Sequence, residues 1–149
     1  MNKALTCKIR KSILYKKPNV KSEHLKEMIF GEIFIKLKEF KDFFYGFTQY
    51  DKYYGYIKKN SLNRNFVKNN FLVTSPKAYL YRDNNLKSKT KKFLYFNSRV
   101  LVLETQKKFS KSDIGWIKNT NLRSLKNIKK KNFLENIKIF KKTKYLWGG

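Results

Sequence analysis

The amino-acid sequence predicts a mainly β protein that consists of two small β-barrels in tandem and a short C-terminal helix. Three observations support this prediction: apolar residues alternate along short segments, a glycine-aromatic-isoleucine motif occurs twice, and the pattern changes after Leu125. The chain has 149 residues, of which 41% are hydrophobic and 17% aromatic. Such a chain can bury a modest core, and its aromatic content excludes a disordered segment, which lacks the apolar area that folding requires.

Short strands are predicted in the first part of the chain, because apolar residues recur there with a period of two. The predicted strands cover residues 9–14, 33–38, 43–48 and 54–58. Polar residues separate the last two strands, as in a hairpin turn. Residues 22–30 are predicted to form a helix or loop, because Leu25, Met28 and Ile29 recur at that spacing. Short strands with a turn about every 8–12 residues are typical of a small barrel or sandwich.

A second set of strands follows from residue 71, and it ends on the same motif as the first. The predicted strands cover residues 79–81, 99–104 and 115–118. Gly55-Tyr56-Ile57 is followed by Leu62, and Gly115-Trp116-Ile117 is followed at the same distance by Leu122. An internal repeat of this kind indicates two copies of one unit. We therefore expect one barrel over residues 8–65 and another over residues 70–125, with Tyr56 and Trp116 as core aromatics.

After Leu125 the alternation ends, and residues 126–131 form a basic polar linker. Apolar side chains then recur at helical spacing, on Phe133, Leu134, Ile137 and Phe140. This pattern predicts an amphipathic helix over about residues 133–142. The chain then ends on Tyr145-Leu146-Trp147-Gly148-Gly149, which leaves Trp147 uncovered, so we expect that the sequence is truncated within a third segment, residues 126–149.

The chain is strongly basic, with 36 Lys and Arg against 10 Asp and Glu and a formal net charge of +26. Such a charge favours polyanions, and aromatic residues interleave with lysines between Phe43 and Tyr56, so a basic small-barrel protein that binds nucleic acid is one hypothesis. However, five of the 36 are Arg, the residue that dominates specific base and phosphate contacts. A composition biased by an AT-rich genome is the alternative explanation, and any nucleic-acid binding is expected to be nonspecific.

Cysteine and histidine each occur once, as Cys7 and His24. One cysteine cannot form an intrachain disulfide, and the pair cannot supply the three or four ligands of a zinc site. We therefore expect neither a metal nor a cofactor. His24 is interpreted as a surface or turn residue, and Cys7 as an inert thiol near a frayed N-terminus. No signal-peptide core or membrane-spanning segment is present in the sequence, so we expect a cytoplasmic protein.

Four stretches of the sequence together resemble one family. They are Ser22-Glu23 with Phe30-Gly31-Glu32, residues 51–56 (DKYYGY), residues 71–87 (FLVTSPKAYLYRDNNLK) and residues 145–149 (YLWGG). In this order they resemble the NlpC/P60 cysteine peptidases of the dipeptidyl-peptidase VI type. These enzymes are γ-D-glutamyl-diamino-acid endopeptidases that carry two N-terminal bacterial SH3 domains (SH3b). The resemblance covers about residues 9–149 and implies two SH3-like barrels followed by the first helix of a catalytic domain.

The resemblance also implies a role in the recycling of cell-wall (peptidoglycan) peptides. The family's catalytic cysteine and histidine have no counterpart in this sequence, so the chain is expected to be inactive alone and to need the missing C-terminal catalytic domain. In this family the first barrel holds the free amine of the N-terminal L-Ala of a murein stem peptide, and by position Glu23 and Tyr53 are the substrate-binding residues. Without the resemblance, Glu23 would be interpreted as capping the following turn and Tyr53 as a hairpin aromatic.

Overall fold

The computed structural model describes residues 3–128 together with Lys138 and Phe140. The contacts between residues divide the described chain into two compact units, and the boundary in the sequence lies between Val67 and Lys68. We call residues 3–67 unit 1 and the described residues from Lys68 onward unit 2. The division falls in the gap between the two predicted domains, whose assignment as bacterial SH3 domains stays a prediction. The predicted helix over about residues 133–142 and the end of the chain lie outside the described residues, save for Lys138 and Phe140.

Unit 1 is an antiparallel sheet of six strands in the order β1-β4-β5-β6-β2-β3. A single turn of 3-10 helix, Lys59–Ser61, follows β6. Cys7 and Leu62 form an isolated antiparallel bridge that brings the two ends of the unit together. The strands are β1 (Lys3–Thr6), β2 (Lys11–Tyr15), β3 (His24–Ile29), β4 (Ile33–Phe40), β5 (Phe43–Thr48) and β6 (Tyr54–Lys58). The core of the unit is formed by Leu5, Cys7, Leu14, Met28, Phe34, Ile57 and Leu62.

Unit 2 contains a three-stranded sheet in the order β10-β7-β14 and a five-stranded sheet in the order β11-β12-β13-β8-β9. One-turn 3-10 helices occur at Leu86–Ser88, Asn119–Asn121 and Leu125–Asn127. The strands are β7 (Phe71–Val73), β8 (Lys77–Tyr81), β9 (Lys89–Tyr95), β10 (Arg99–Val100), β11 (Val102–Thr105), β12 (Phe109–Ser112), β13 (Gly115–Lys118) and β14 (Leu122–Ser124). Its buried aliphatic residues are Val73, Ala78, Leu80, Leu94, Val100, Val102 and Ile117.

The two units share one pairing register. In unit 1, Phe43 lies opposite Lys58 and Gly46 opposite Gly55; in unit 2, Phe109 lies opposite Lys118 and Ser112 opposite Gly115. The repeated motif therefore occupies equivalent strand positions. The tight turn after each motif is also the same, because Leu62 and Leu122 each donate a backbone hydrogen bond to the carbonyl three residues earlier. The predicted mainly β fold, with two small SH3-like barrels, is confirmed.

Three details of the sequence prediction are wrong. Residues 24–29 form strand β3 rather than a helix or loop, because the chain pairs along β2 and buries Met28 completely. The predicted strand over residues 99–104 is interrupted at Leu101, where the chain passes from the sheet of β10 to the sheet of β11. Tyr56 and Trp116 are only half-buried, because alternation along the strand directs the next residue, Ile57 or Ile117, into the core.

Candidate functional site

Cys7 and His24 do not form a nucleophile and base pair. Cys7 is fully buried in the core of unit 1, and its thiol donates a weak hydrogen bond to the carbonyl oxygen of Ile9 at 3.5 Å. Burial, aided by the negative charge of Glu32, raises the pKa of Cys7 to about 12. A cysteine nucleophile reacts as the thiolate, so this thiol is inert at neutral pH. His24 is exposed at the start of β3, where its ring lies edge-on to Tyr15.

The Cys7 result corrects one expectation and supports another. Cys7 does not lie near a frayed terminus, because β1 pairs along β4 and the amide of Cys7 donates to the carbonyl of Glu32 at 2.9 Å. The inertness expected of the thiol has a physical basis in its burial.

Glu23 lies immediately before β3 and holds an ammonium group. Its carboxylate is 2.7 Å from Nζ of Lys16, and its backbone carbonyl accepts a hydrogen bond from the amide of Lys16 at 3.0 Å. The side chains of Lys16 and Glu23 are 60% and 59% exposed. The turn is stabilised by the neighbouring residue, Ser22, rather than by the Glu23 side chain, because the Ser22 hydroxyl accepts a hydrogen bond from the amide of Lys17. The carboxylate of Glu23 is therefore a solvent-facing group paired with a primary amine.

Tyr53 ends the turn between β5 and β6, and its backbone is fixed on both sides by Thr48. The amide of Tyr53 donates to the Thr48 hydroxyl at 3.0 Å, and the carbonyl of Tyr53 accepts from the Thr48 amide at 3.1 Å. The side chain itself is 51% exposed. This arrangement holds the backbone in place while the ring faces solvent.

A polar network links the turn that carries Tyr53 to strand β3. Asp51 accepts hydrogen bonds from the Thr48 hydroxyl and from Nζ of Lys26, and Lys26 also lies 3.7 Å from the carboxylate of Glu32. Lys26 is on β3, three residues after Glu23. Burial of the Asp51 carboxylate opposes ionisation, but its hydrogen bonds from Lys26 and Thr48 outweigh that effect and lower the pKa of Asp51.

The network contains two carboxylates, those of Asp51 and Glu32, to which the sequence analysis assigned no role. Asp51 and Glu32 occur in the stretches that resemble the NlpC/P60 family, and in the structure both hold Lys26. Among the described residues, no hydrogen bond, ion pair or ring contact joins Glu23 to Tyr53 directly.

Within the part of the chain that the structure describes, no group of His, Cys, Asp and Glu side chains has an arrangement suited to a metal ion. In the same residues, no helix has the length and apolar character that crossing a bilayer requires.

Comparison with known proteins finds a solved structure of similar fold. No family model matches the chain, and no curated protein matches it. The crystal structure of an NlpC/P60 family protein from Bacillus cereus ATCC 10987 matches with a TM-score of 0.72 at 14% sequence identity. This chain is similar in fold to an NlpC/P60 family protein. The match covers 98% of this chain and 66% of the Bacillus cereus protein, so the chain spans just under two thirds of that protein's length.

A second structural match is much weaker. The structure of NlpC2 from Trichomonas vaginalis aligns with a TM-score of 0.36 at 16% identity, over 83% of this chain and 48% of that one.

Proposed function

We propose that this chain is the non-catalytic, substrate-recognising part of a murein-peptide endopeptidase of the NlpC/P60 family, dipeptidyl-peptidase VI type. In its complete form, such an enzyme hydrolyses the γ-D-glutamyl to diamino-acid bond of stem peptides. The observation that supports this proposal is the fold similarity to the Bacillus cereus NlpC/P60 protein, which extends over 98% of this chain. Under this proposal the two units are bacterial SH3 domains, and the peptidase chemistry belongs to a catalytic domain.

The environment of Cys7 supports a non-catalytic role. Nucleophilic catalysis needs a thiolate within hydrogen-bond reach of a base, whereas the Cys7 thiol has a pKa of about 12 and no solvent access. The direct test is incubation of the chain with L-Ala-γ-D-Glu-diaminopimelate while release of the diamino acid is followed. We expect no release. Turnover that the substitution Cys7→Ser abolishes would show that the thiol is a nucleophile after all.

Recognition of the substrate's free amine is assigned to Glu23 and Tyr53. The carboxylate of Glu23 already binds one primary ammonium, that of Lys16, at 2.7 Å, and the ammonium of an N-terminal L-Ala has the same chemistry. An exposed pair of this kind is worth only about 0.2–1 kcal/mol, so the substrate amine can displace Lys16 at little cost. The Tyr53 hydroxyl would add a directional hydrogen bond.

The exposure of Glu23 implies that recognition by this chain alone is weak. Water competes for a carboxylate that is 59% exposed, and a charge-assisted hydrogen bond becomes strong only when water is excluded. A catalytic domain that covers Glu23 and Tyr53 would provide that exclusion. We therefore expect millimolar binding to this chain and much tighter binding to the complete enzyme.

The experiment is an NMR titration of the chain with L-Ala-γ-D-Glu and with its N-acetylated form. We expect shifts at Glu23 and Tyr53 with the free amine only. Glu23→Gln should remove them, whereas Lys16→Met should strengthen binding because it removes the competing ammonium. Glu27→Gln is the matched control, because Glu27 lies on β3 and its carboxylate also pairs with a lysine, Lys11. Equal responses to the free and acetylated peptides would refute the assignment of Glu23.

In an enzyme that contains the catalytic domain, the same variant gives a second readout. Glu23→Gln should raise KM for free-amine peptides about tenfold or more, because a lost charge-assisted bond costs about 1.5–3 kcal/mol. KM for N-acetylated peptides should not change.

A further inference from the structure

Unit 1 and unit 2 each carry a groove at the same place in the repeat. The first groove, of about 540 Å³, is lined by residues 18–20, 42–43 and 58–60; the second, of about 690 Å³, is lined by residues 84–87, 107–109 and 118–120. The register makes these positions equivalent, since Phe43 lies opposite Lys58 in one unit and Phe109 lies opposite Lys118 in the other. The molecule therefore contains two versions of one groove, which can be compared at the equivalent strand positions.

The walls of the second groove are fastened to one another. Nδ2 of Asn84, in the loop before the 3-10 turn Leu86–Ser88, donates to Oε1 of Gln106 at 2.5 Å. Nδ2 of Asn119, the first residue after β13, donates to the carbonyl oxygen of the same Gln106 at 2.7 Å. Gln106 thus joins both walls of the groove, which is formed before any ligand binds.

The second groove is lined by positive charge without a compensating carboxylate. Its lining includes Lys87, Lys107, Lys108 and Lys118, and no Asp or Glu. The salt bridges between described residues all lie in unit 1, so none of these lysines is neutralised by one. Residues 68–128 as a whole carry 14 Lys and Arg against 3 Asp and Glu. Four lysines and no carboxylate therefore line the groove.

The first groove has a different charge at an equivalent position. It has Asp42 immediately before Phe43, where the second groove has Lys108 before Phe109. Lys59 of the first groove also pairs with Glu39 at 3.1 Å. The positive charge of the groove lining is thus partly neutralised in unit 1, whereas every charged residue that lines the groove of unit 2 is basic.

The second groove also offers an apolar surface between its lysines. Leu86 lines the groove and is 63% exposed, and the groove is also lined by Phe109, whose buried ring packs against Tyr81 at 5.0 Å between centroids. No exposed aromatic ring is among the described residues that line this groove, so it lacks the platform on which bases stack. A ligand that matches it combines carboxylates with an apolar side chain.

We propose that the second groove binds an acidic peptide segment, with carboxylates on either side of one apolar residue. The carboxylates pair with Lys87, Lys108 and Lys118, and the apolar side chain covers Leu86. This site lies in unit 2 and recognises anions, whereas the proposed function assigns amine recognition to unit 1. The two proposals therefore stand or fall separately.

The test uses fluorescence anisotropy with the complete chain and a fluorescein-labelled peptide in which a leucine stands between two pairs of glutamates. Lys118→Glu and Lys58→Glu are matched variants, because they change the net charge equally at equivalent positions of the two grooves. Removing and then reversing one partly exposed charge is worth up to about fivefold for each change, so Lys118→Glu should weaken binding by up to about 25-fold. Lys58→Glu should alter the Kd less than about threefold, through the general field alone.

The apolar contact is tested by a second matched pair, Leu86→Ser in the second groove and Val20→Ser in the first. Leu86→Ser should weaken peptide binding severalfold, and Val20→Ser should not. Equal losses for Lys118→Glu and Lys58→Glu would overturn the proposal, because they would show attraction to net charge rather than to a site. A different result would also overturn the proposal. If Leu86→Ser leaves peptide binding unchanged, and a single-stranded oligonucleotide competes as effectively as the unlabelled peptide, the groove is a general polyanion surface.

Discussion

The contact between β5 and β4 at Gly46 allows a sharp test of the unit 1 barrel. A Cβ added to Gly46 would lie 1.9 Å from the carbonyl oxygen of Ile35 and 2.9 Å from the ring of Phe34. Ordinary carbon-oxygen contacts are about 3.3 Å or longer, so Gly46→Ala forces the strands apart by more than about 1 Å. The strands are paired on both sides of this point, and Phe34 is fully buried, so no flexible group is available to yield.

The cost of Gly46→Ala follows from these contacts. Overpacking a core costs about 1–3 kcal/mol, and each backbone hydrogen bond lost between β4 and β5 adds about 1 kcal/mol. We expect a loss of about 3–5 kcal/mol in the free energy of unfolding of unit 1. The equivalent position in unit 2 is Ser112, which holds a buried side chain whose hydroxyl donates to the carbonyl of Gly115. The same hydroxyl also accepts from the amide of Ile114 at 3.3 Å, so Ser112→Ala, the matched control, should cost about 1–2 kcal/mol through the two lost hydrogen bonds.

The assay is the rate at which a thiol reagent labels Cys7. This cysteine is the only one in the sequence and is fully buried in unit 1, so labelling requires that unit to open. A loss of about 3 kcal/mol corresponds to labelling that is faster by about a hundredfold. Ser112→Ala should leave the rate near that of the wild type. If Gly46→Ala labels within threefold of the wild type, the close approach of β4 and β5 does not control the stability of unit 1.

Two further predictions concern charge. Because the pKa of Asp51 is lowered in the folded state, its contribution to stability is present above its ordinary pKa of about 4 and is lost as the pH falls through the lowered value. Asp51→Asn should therefore cost about 1 kcal/mol at pH 7 and less at pH 3, as measured by urea midpoints; equal losses at the two pH values would contradict the role of the carboxylate charge. Any nucleic-acid binding should show no sequence preference, and its affinity should fall steeply between about 50 and 200 mM salt, because lysine contacts to phosphate carry charge without base readout; oligonucleotides of different sequence titrated at both salt concentrations provide the measurement.

The fold was predictable where a pattern repeats. Gly55-Tyr56-Ile57 and Gly115-Trp116-Ile117 predict equivalent strands, and the structure places them in the same register. Strand β3 was not predictable from its spacing, because its charged residues are satisfied by partners distant in sequence, such as Asp51 for Lys26. Periodicity describes one segment at a time, whereas an edge strand is stabilised by the neighbour along which it pairs.

The candidate site was predictable only in its residue types. The sequence places a carboxylate at Glu23 and an aromatic ring at Tyr53, but it does not show that Lys16 already occupies that carboxylate. That pairing depends on the turn between β2 and β3, and so on a strand that the sequence analysis did not recognise. The charge contrast between the two grooves was likewise inaccessible, because it requires the register that makes Asp42 equivalent to Lys108.

Each unit is closed by its own ends, and this has a consequence for its synthesis. In unit 1 Cys7 bridges to Leu62, and in unit 2 Val73 on β7 pairs with Leu122 on β14. On the ribosome, each barrel can therefore close only after the last segment of its unit has been translated. Unit 1 can complete this step while unit 2 is still being translated. Since the two ends of a unit meet side by side, either unit is also a candidate for circular permutation, with new termini placed in an exposed turn.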